Sequence, residues 1–392
     1  REIWDALIES AWASAEPGIF FRERYNRMSN SYYFSPIIAT NPCVTGDTRI
    51  YTDKGLIPAR ELFEDETEIE ATIDGRFGLE RTTTPSTRVF MTGVKPVHRL
   101  QTREGYYVRA TADHRFMTPS GWVELKDLKP GMKVHILNRQ GGFGQEGSLE
   151  LGRVLGYMIN DGMVTYDDLS EYSLRREHDA LAYMYVDYVQ SLAGDKSQSV
   201  AVSMLRYKLL AEEYELLDSN QCVPEVVFRG NEGMQRGFLN GLFYKKARFY
   251  LDDNQGYISL PSGSRPFLED IQLLLSNLGI VSRIKRGNAE YELVINGHSL
   301  VVFSEEVGFH RFPEREAFKG FLERNHHIFT PYAESFIAHV ESVTEDGMEE
   351  VFDLTESLTH SFVANGLVVH NCGEQGLPAF GVCNLGAINL AR

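Results

Sequence analysis

At 392 residues with a formal net charge of −16, the chain is long enough for about two or three folding units and too acidic for a protein whose main task is gripping phosphates. A hydrophobic content of 43% with 11% aromatics supplies packed cores and excludes a disordered chain. There is no apolar run of about eighteen residues, the opening Arg1-Glu2-Ile3-Trp4 lacks a signal-peptide layout, and four cysteines are too few for a disulfide scaffold; a cytoplasmic protein without a membrane partner is expected.

Trp4, Leu7, Ile8, Ala11, Trp12 and Ala15 recur at three- and four-residue spacing, which predicts a helix stopped by Pro17-Gly18. From 43 to 137 the chain changes to short runs rich in Val, Ile, Thr, Tyr and Phe, at 88–92, 96–100 and 106–110. Asp74-Gly75, Thr92-Gly93 and Glu104-Gly105 read as turns between such runs, so this part is predicted all-β. Beyond Gly141-Gly142-Phe143-Gly144 the pattern lengthens into predicted helices at 151–159, 179–192 and 266–278, separated by strand-like pieces. An α+β unit is therefore expected over 138–331. Strand-like sequence returns at 336–343, 349–354, 361–364 and 367–369, and the β stretches 43–137 and 332–371 most simply form one fold split by the insertion. Segments 1–42 and 372–392 flank it.

The most reactive feature is His370-Asn371-Cys372, taken together with Cys43. The side-chain amide of an Asn attacks its own carbonyl, closes a succinimide and breaks the chain behind it. A thiol at each edge makes that break useful: Cys43 converts the Pro42-Cys43 peptide into a thioester, Cys372 captures the acyl group, and Asn371 releases everything between. These groups must lie close together, which a β fold with adjacent termini supplies. The bland reading of Cys43 is a small core hydrophobe, and Cys222 before Val223-Pro224 reads as a buried spectator.

Four blocks occur in order: Cys43-Val44-Thr45-Gly46-Asp47-Thr48, Ala110-Thr111-Ala112-Asp113-His114-Arg115-Phe116, Val351-Phe352-Asp353-Leu354-Thr355, and Val363-Ala364-Asn365-Gly366-Leu367-Val368-Val369-His370-Asn371-Cys372. With this order the segment from Cys43 to Asn371 resembles an intein. The resemblance implies a horseshoe-shaped, mainly β splicing (Hint) domain made by 43–137 and 332–371. It also implies that His114 protonates or hydrogen-bonds the scissile amide nitrogen and that Thr111 orients the bond, weakening the resonance that keeps an amide planar. Asp353 is implied to contact the first cysteine, as a proton acceptor or as a charge that tunes the thiol. His360 is implied to assist cyclisation of Asn371, with His370 as its neighbour. The implied sequence is an N-to-S acyl shift at Cys43, transthioesterification to Cys372, cyclisation of Asn371, and an S-to-N shift joining Pro42 to Cys372. No cofactor is expected for splicing. The ring of Pro42 fixes its φ and crowds the carbonyl under attack, so a slow first step is expected.

Removing 43–371 leaves a continuous Asn41-Pro42-Cys372-Gly373-Glu374, which resembles the active-site segment of ribonucleotide reductase large subunits. Gly18 to Asn26 and Val382-Cys383-Asn384-Leu385-Gly386 to Leu390 fit the same family. The resemblance implies that Cys372 carries the thiyl radical after splicing, that Asn41 and Glu374 hydrogen-bond ribose hydroxyls, and that Cys383 belongs to a reducing dithiol pair. The wording is nearest the adenosylcobalamin-dependent class. The partners of the splicing segment are then its own flanking host segments.

Within the insertion, Leu155-Gly156-Tyr157-Met158-Ile159-Asn160-Asp161-Gly162 and Phe238-Leu239-Asn240-Gly241-Leu242-Phe243-Tyr244-Lys245-Lys246-Ala247 resemble the two motifs of LAGLIDADG homing endonucleases. That resemblance implies two packed helices, each ending in a carboxylate that holds Mg2+. Asp161 supplies the first acid, but Lys246 stands at the matching second position. Acidic residues also outnumber basic ones over 138–330, the wrong sign for a DNA binder. A degenerate domain without cleavage is expected; Mg2+ at Asp161, and DNA as a partner, belong only to the alternative of an active homing endonuclease. A hedgehog-type autoprocessing domain is the other rival, and it has no need of Asn371 followed by Cys372.

Overall fold

Residues 37–39, 43–159, 223–252, 255–287, 290–308, 314–371 and 377–378 are described by a computed structural model. The β part contains, in chain order, β1 (Ile37–Ala39), β2 (Val44–Thr45), β3 (Arg49–Thr52), β4 (Gly55–Pro58), a short helix α1 (Ala59–Glu64), β5 (Ile69–Thr72), β6 (Thr83–Ser86), β7 (Phe90–Thr102), β8 (Tyr107–Thr111), β9 (Arg115–Thr118), β10 (Gly121–Glu124) and β11 (Lys133–His135). The insertion contributes helices α2 (Leu149–Met158), α3 (Glu225–Phe228), α4 (Glu232–Lys246), α5 (Arg265–Asn277), α6 (Ser299–Glu306) and α7 (Glu314–Arg324), with strands β12 (Arg248–Asp252), β13 (Gln255–Ser262), β14 (Arg283–Arg286) and β15 (Tyr291–Asn296). The chain then returns to β structure with β16 (Ile337–Asp353), β17 (Ser361–Ala364), β18 (Leu367–His370) and β19 (Leu377–Pro378).

Strands from both sides of the insertion share the same sheets. One sheet runs β10-β9-β18-β17-β3-β5-β6, with β4 on β3; the other runs β11-β16-β2-β8-β7, with β7 also paired to β16. Alternating apolar residues from these strands, among them Val44, Ile50, Val108, Phe116, Phe352, Phe362 and Val369, form one buried cluster. Two expected breaks are absent. The runs 336–343 and 349–354 belong to a single 17-residue β16, because its polar middle pairs with β7 instead of turning. Thr92-Gly93 likewise lies inside β7. There Val351 faces Gly93 while Phe352 faces Met91, so Thr92 is an extra residue in the ladder, and Gly93 takes φ +117. This is a β-bulge, which a glycine tolerates where a side chain would strain.

The β17–β18 hairpin closes on Asn365 and Gly366, both at positive φ (45 and 81), the turn whose twist matches paired strands. Asn365 also ties this turn to its neighbours: its Oδ1 accepts the Arg49 N–H at 2.8 Å, its own N–H donates to Arg49 O at 2.9 Å, and its Nδ2 donates to Tyr107 O at 3.1 Å. The hairpin therefore delivers His370 and Asn371 to a fixed place.

In the insertion, α2, α4 and α5 each start on a side-chain cap, from Ser148, Asn231 and Ser264 respectively. Helices α2 and α4 touch backbone to backbone. A β-carbon on Gly152 or Gly156 would strike the Met234 or Phe238 carbonyl, and one on Gly237 or Gly241 would strike that of Leu149 or Arg153. The sheet β12-β13-β15-β14 and α5 complete a second core, which Tyr51, Leu56, Leu137 and Val363 of the β part join. Polar ties reinforce the docking: Tyr51 Oη donates to Leu273 O at 3.0 Å, Gln272 Nε2 to Glu104 O at 2.9 Å, and the Arg49 guanidinium lies 3.6 Å above the Phe228 ring while pairing with Glu225. The helices predicted at 151–159 and 266–278 correspond to α2 and α5; those at 4–15 and 179–192 fall outside the described residues. No helix among the described residues is long and apolar enough to cross a membrane.

Candidate active site

Cys43 immediately precedes β2, a two-residue strand held between β16 and β8 through the pairs Phe352↔Val44 and Val44↔Ala110. That register sets the cysteine backbone against Thr111: the Cys43 N–H donates to Thr111 Oγ1 at 3.0 Å, and the Thr111 N–H donates to Cys43 O at 2.9 Å. The nitrogen of the Pro42-Cys43 bond is thus gripped by a side chain. From Thr111 the chain turns; the His114 N–H donates to Thr111 O at 3.0 Å, while Leu125 and Lys126 N–H groups donate to His114 O and Ala112 O at 2.7 and 2.9 Å. His114 is fully buried, with Phe116 and Phe362 edge-on to its ring at 5.6 and 6.3 Å between centroids.

The same turn leads into β9, where Phe116 pairs with Val369 of β18. One residue further on β18 is His370. The turn at 111–114 therefore links the sheet that holds Cys43 to the sheet that ends in the Asn371 junction. Asn371 is 1% exposed and its N–H donates to His360 O at 3.1 Å. His360 adopts φ 52, a left-handed conformation unusual for a side-chain-bearing residue, which turns its carbonyl to this N–H. The His370 ring stacks near that of His360 (centroids 6.4 Å, planes 14° apart) and meets the edge of Trp122 at 4.9 Å. Its Nδ1 touches the Asn371 carbonyl oxygen, the oxygen on the carbon that cyclisation attacks.

Asp353 ends β16 without exposed surface, and its Oδ1 accepts the Leu354 N–H at 2.8 Å. Burial pushes the Cys43 thiol from its ordinary 9.0 up to about 12; the Lys95 ammonium opposes this, the Asp353 carboxylate adds to it, a hydrogen bond from Thr92 opposes it, and Asp113 adds to it. The resting thiol is therefore protonated at neutral pH. Thr92 Oγ1 lies 2.8 Å from Cys43 Sγ, and Lys95 Nζ donates to that sulfur at 3.5 Å.

The structure brings Cys43, Thr111 and His114 together on one side, and His360, His370 and Asn371 on the other, with Asp353 within electrostatic reach of the thiol. Thr92, Lys95 and Trp122 join them without having been singled out. Thr92 and Lys95 differ in strand parity, so alternation assigns them to opposite faces; Gly93 is the one signal of the bulge that reverses this. Asn41, Pro42, Asp161, Cys222, Cys372, Glu374 and Cys383 lie outside the described residues. The strands nearest the two junctions do pair: Ile37 faces Pro378 and Ala39 faces Leu377 in an antiparallel β1–β19 ladder, so the flanking segments run side by side. In the insertion, α4 ends in Lys246, where a metal site would need a carboxylate; an ammonium ligates no cation, so this position does not fit Mg2+.

A thiol and a carboxamide at opposite ends of one β fold, joined by a histidine-bearing turn, define a self-processing protein. Residues 50–371 match the intein splicing domain family, and the chain belongs to that family. It is 24% identical to the ribonucleoside-diphosphate reductase NrdEB subunit alpha of Bacillus subtilis, over 95% of this chain and 40% of that protein. It is also 25% identical to the replicative DNA helicase DnaB of Rhodothermus marinus, over 85% of this chain and 46% of the helicase. The chain thus spans less than half the length of either relative. Among solved structures it is similar to a DnaB intein from Synechocystis sp., at 15% identity and a TM-score of 0.30, covering 84% of this chain and 99% of that one.

Proposed function

We propose that the chain excises residues 43–371 and joins Pro42 to Cys372. The observation that carries this reading is the turn at 111–114, which binds the Cys43 nitrogen through Thr111 and then enters the strand paired beside His370 and Asn371. In the first step the Cys43 sulfur adds to the Pro42 carbonyl carbon and the C–N bond breaks. The departing nitrogen is the one held by Thr111, and His114 in the same turn supplies its proton. Cys372 next takes the acyl group from Cys43. Asn371 Nδ2 then attacks its own carbonyl carbon and loses a proton, the bond to the Cys372 nitrogen breaks, and that nitrogen leaves as the amine with one proton gained. His370 Nδ1 sits at the oxygen where negative charge develops, and the His360 carbonyl fixes the backbone. An S-to-N shift completes the ligation.

The flanks are read as the active-site segment of a ribonucleotide reductase, supported by the likeness to a reductase alpha subunit over nearly the whole chain. In the spliced host Cys372 would carry the radical, Asn41 and Glu374 would hold the ribose, and Cys383 would be one reducing thiol; in the complete host of the adenosylcobalamin-dependent class, that cofactor would supply the radical chemistry. The insertion is read as a scaffold descended from a LAGLIDADG nuclease and no longer cutting DNA. The close glycine-lined contact of α2 and α4 supports the descent, and Lys246 with the local excess of acid supports the loss of cleavage. Mass spectrometry of the expressed chain tests the main reading. The expected products are a peptide running from residue 42 directly into 372 and a free 43–371 segment; intact or merely hydrolysed chain would overturn it. Site-specific cutting of plasmid DNA with Mg2+ would overturn the reading of the insertion.

A further inference from the structure

The β7 bulge places two side chains on the sulfur of Cys43 that no regular strand would place there together. Because Thr92 is the extra residue in the ladder, the strand changes phase between positions 92 and 95, and both Thr92 Oγ1 and Lys95 Nζ reach Cys43 Sγ, at 2.8 and 3.5 Å. Bulges are over-represented beside active sites for this reason: they re-aim a side chain. Thr92 Oγ1 also lies 3.3 Å from Val351 O, which holds the hydroxyl beside the sulfur, and toward the thiolate it donates, opposing the effect of burial.

We propose that Lys95 is a catalytic residue of the first step, stabilising the Cys43 thiolate through its ammonium while the Thr92 hydroxyl hydrogen-bonds the sulfur and aims it. The inference rests on reading Cys43 as the first nucleophile. The Cys43 proton leaves sulfur, the thiolate forms a C–S bond to the Pro42 carbonyl carbon, the C–N bond breaks, and one proton ends on the freed amine; no oxidant or co-reactant is required. A completely enclosed thiol needs such help, since burial favours its neutral form and the charge that develops on sulfur has no water to stabilise it. Among the described residues, the charged groups that act on the sulfur are Lys95 from β7, Asp353 from β16 and Asp113 from the 111–114 turn. Glu349 faces Lys95 across the ladder, but its carboxylate accepts a hydrogen bond from Arg109 Nη2 at 2.8 Å. Of the groups facing the sulfur, Lys95 supplies the positive charge that offsets two carboxylates.

The test uses the full chain carrying Asn371→Ala and Cys372→Ala, which halts the reaction at the Cys43 thioester. Hydroxylamine cleavage at that thioester is followed by mass spectrometry from about pH 6 to about pH 9, a range in which the thiolate fraction climbs with pH. Lys95→Met keeps the length of the stem and removes the charge; cleavage is expected to slow about tenfold and to reach the parental rate only about one pH unit higher. Lys95→Arg is expected to restore most of the rate. Thr92→Val is expected to slow cleavage about tenfold at every pH, with rescue by Thr92→Ser. A Lys95→Met chain that matches the parent at every pH overturns the proposal. So does one that is slow but keeps the parental pH dependence, or a Lys95→Arg chain as slow as Lys95→Met, since either outcome assigns Lys95 a packing role. Failure of the underlying reading looks different: the parent itself then yields no hydroxylamine-sensitive bond, or Cys43→Ala yields the same one.

Discussion

Cys43 and Asn371 are both buried, but the pockets around them hold them by different means. The Cys43 side chain meets an ammonium, two carboxylates and a hydroxyl, so its reactivity is a matter of charge in a dry environment. Asn371 is held through its backbone by the His360 carbonyl, beside a histidine ring packed against Trp122 and His360. The difference fits the chemistry. A thiol must lose its proton before it attacks, which nearby charge controls, whereas a carboxamide sheds its proton as the ring closes and so depends first on alignment with its own carbonyl, with His370 at the oxygen where charge develops.

The largest expected effect separates the two pockets outright. Cys43→Ala abolishes thioester formation and ligation while cleavage behind Asn371 persists, whereas Asn371→Ala keeps thioester formation and the acyl transfer to Cys372 but abolishes cleavage behind residue 371 and so ligation; both are read from product masses. Next, His114→Gln keeps a polar group of similar size but no proton donor of suitable pKa, and slows thioester formation by about 10²–10⁴-fold with little change in Asn371 cyclisation. Equal slowing of both steps would show that the 111–114 turn serves the two pockets as one. At His360 the ring and the backbone are separable. His360→Gly removes the ring yet suits φ 52, whereas His360→Ala removes the ring and keeps the strain; the glycine variant is expected to be about 1 kcal/mol the more stable in denaturant unfolding. Both are expected to slow cyclisation about tenfold, the scale of a misaligned reacting group; a fast glycine variant would limit His360 to its carbonyl.

The smallest effect asks whether enclosing a charge is also costly away from the junctions. Burial pushes Asp270 of α5 from 3.8 up to about 6, offset in part by Arg49 and by the Val223 N–H that donates to its Oδ2. The folded form prefers the neutral acid, so this contribution to stability is complete below about pH 4 and disappears as pH rises through about 6. Asp270→Asn keeps the acceptor without the charge. It is expected to raise the neutral-pH unfolding temperature, by an amount equivalent to ~1–3 kcal/mol, and to flatten the pH dependence in that window. An unchanged pH profile would place the charge outside the folding equilibrium.

Much of the site is legible along the chain. His360, His370 and Asn371 are adjacent because one hairpin carries them, so short-range order suffices there, while Cys43 meets Thr111 and His114 through the pairing of β2 with β8, which the ordered sequence blocks imply. The third group around the sulfur is not legible. Thr92 reads as a turn residue and Lys95 falls between that turn and the run at 96–100, and only the mismatch between β7 and a β16 strand some 250 positions later turns both toward Cys43. Trp122 is equally silent in sequence, since its place against His370 depends on β9 pairing with both β10 and β18 and so setting them on its two sides.

Residue types and their covalent neighbours set the repertoire of a thiol, an imidazole and a carboxamide in a fixed order along one segment, because reactivity of this kind is a local chemical property. The electrostatic setting was decided only by tertiary structure. Desolvation and the reach of an ammonium depend on which strands enclose the sulfur, and a single extra residue in one ladder changes that enclosure while leaving the local sequence pattern almost unmarked.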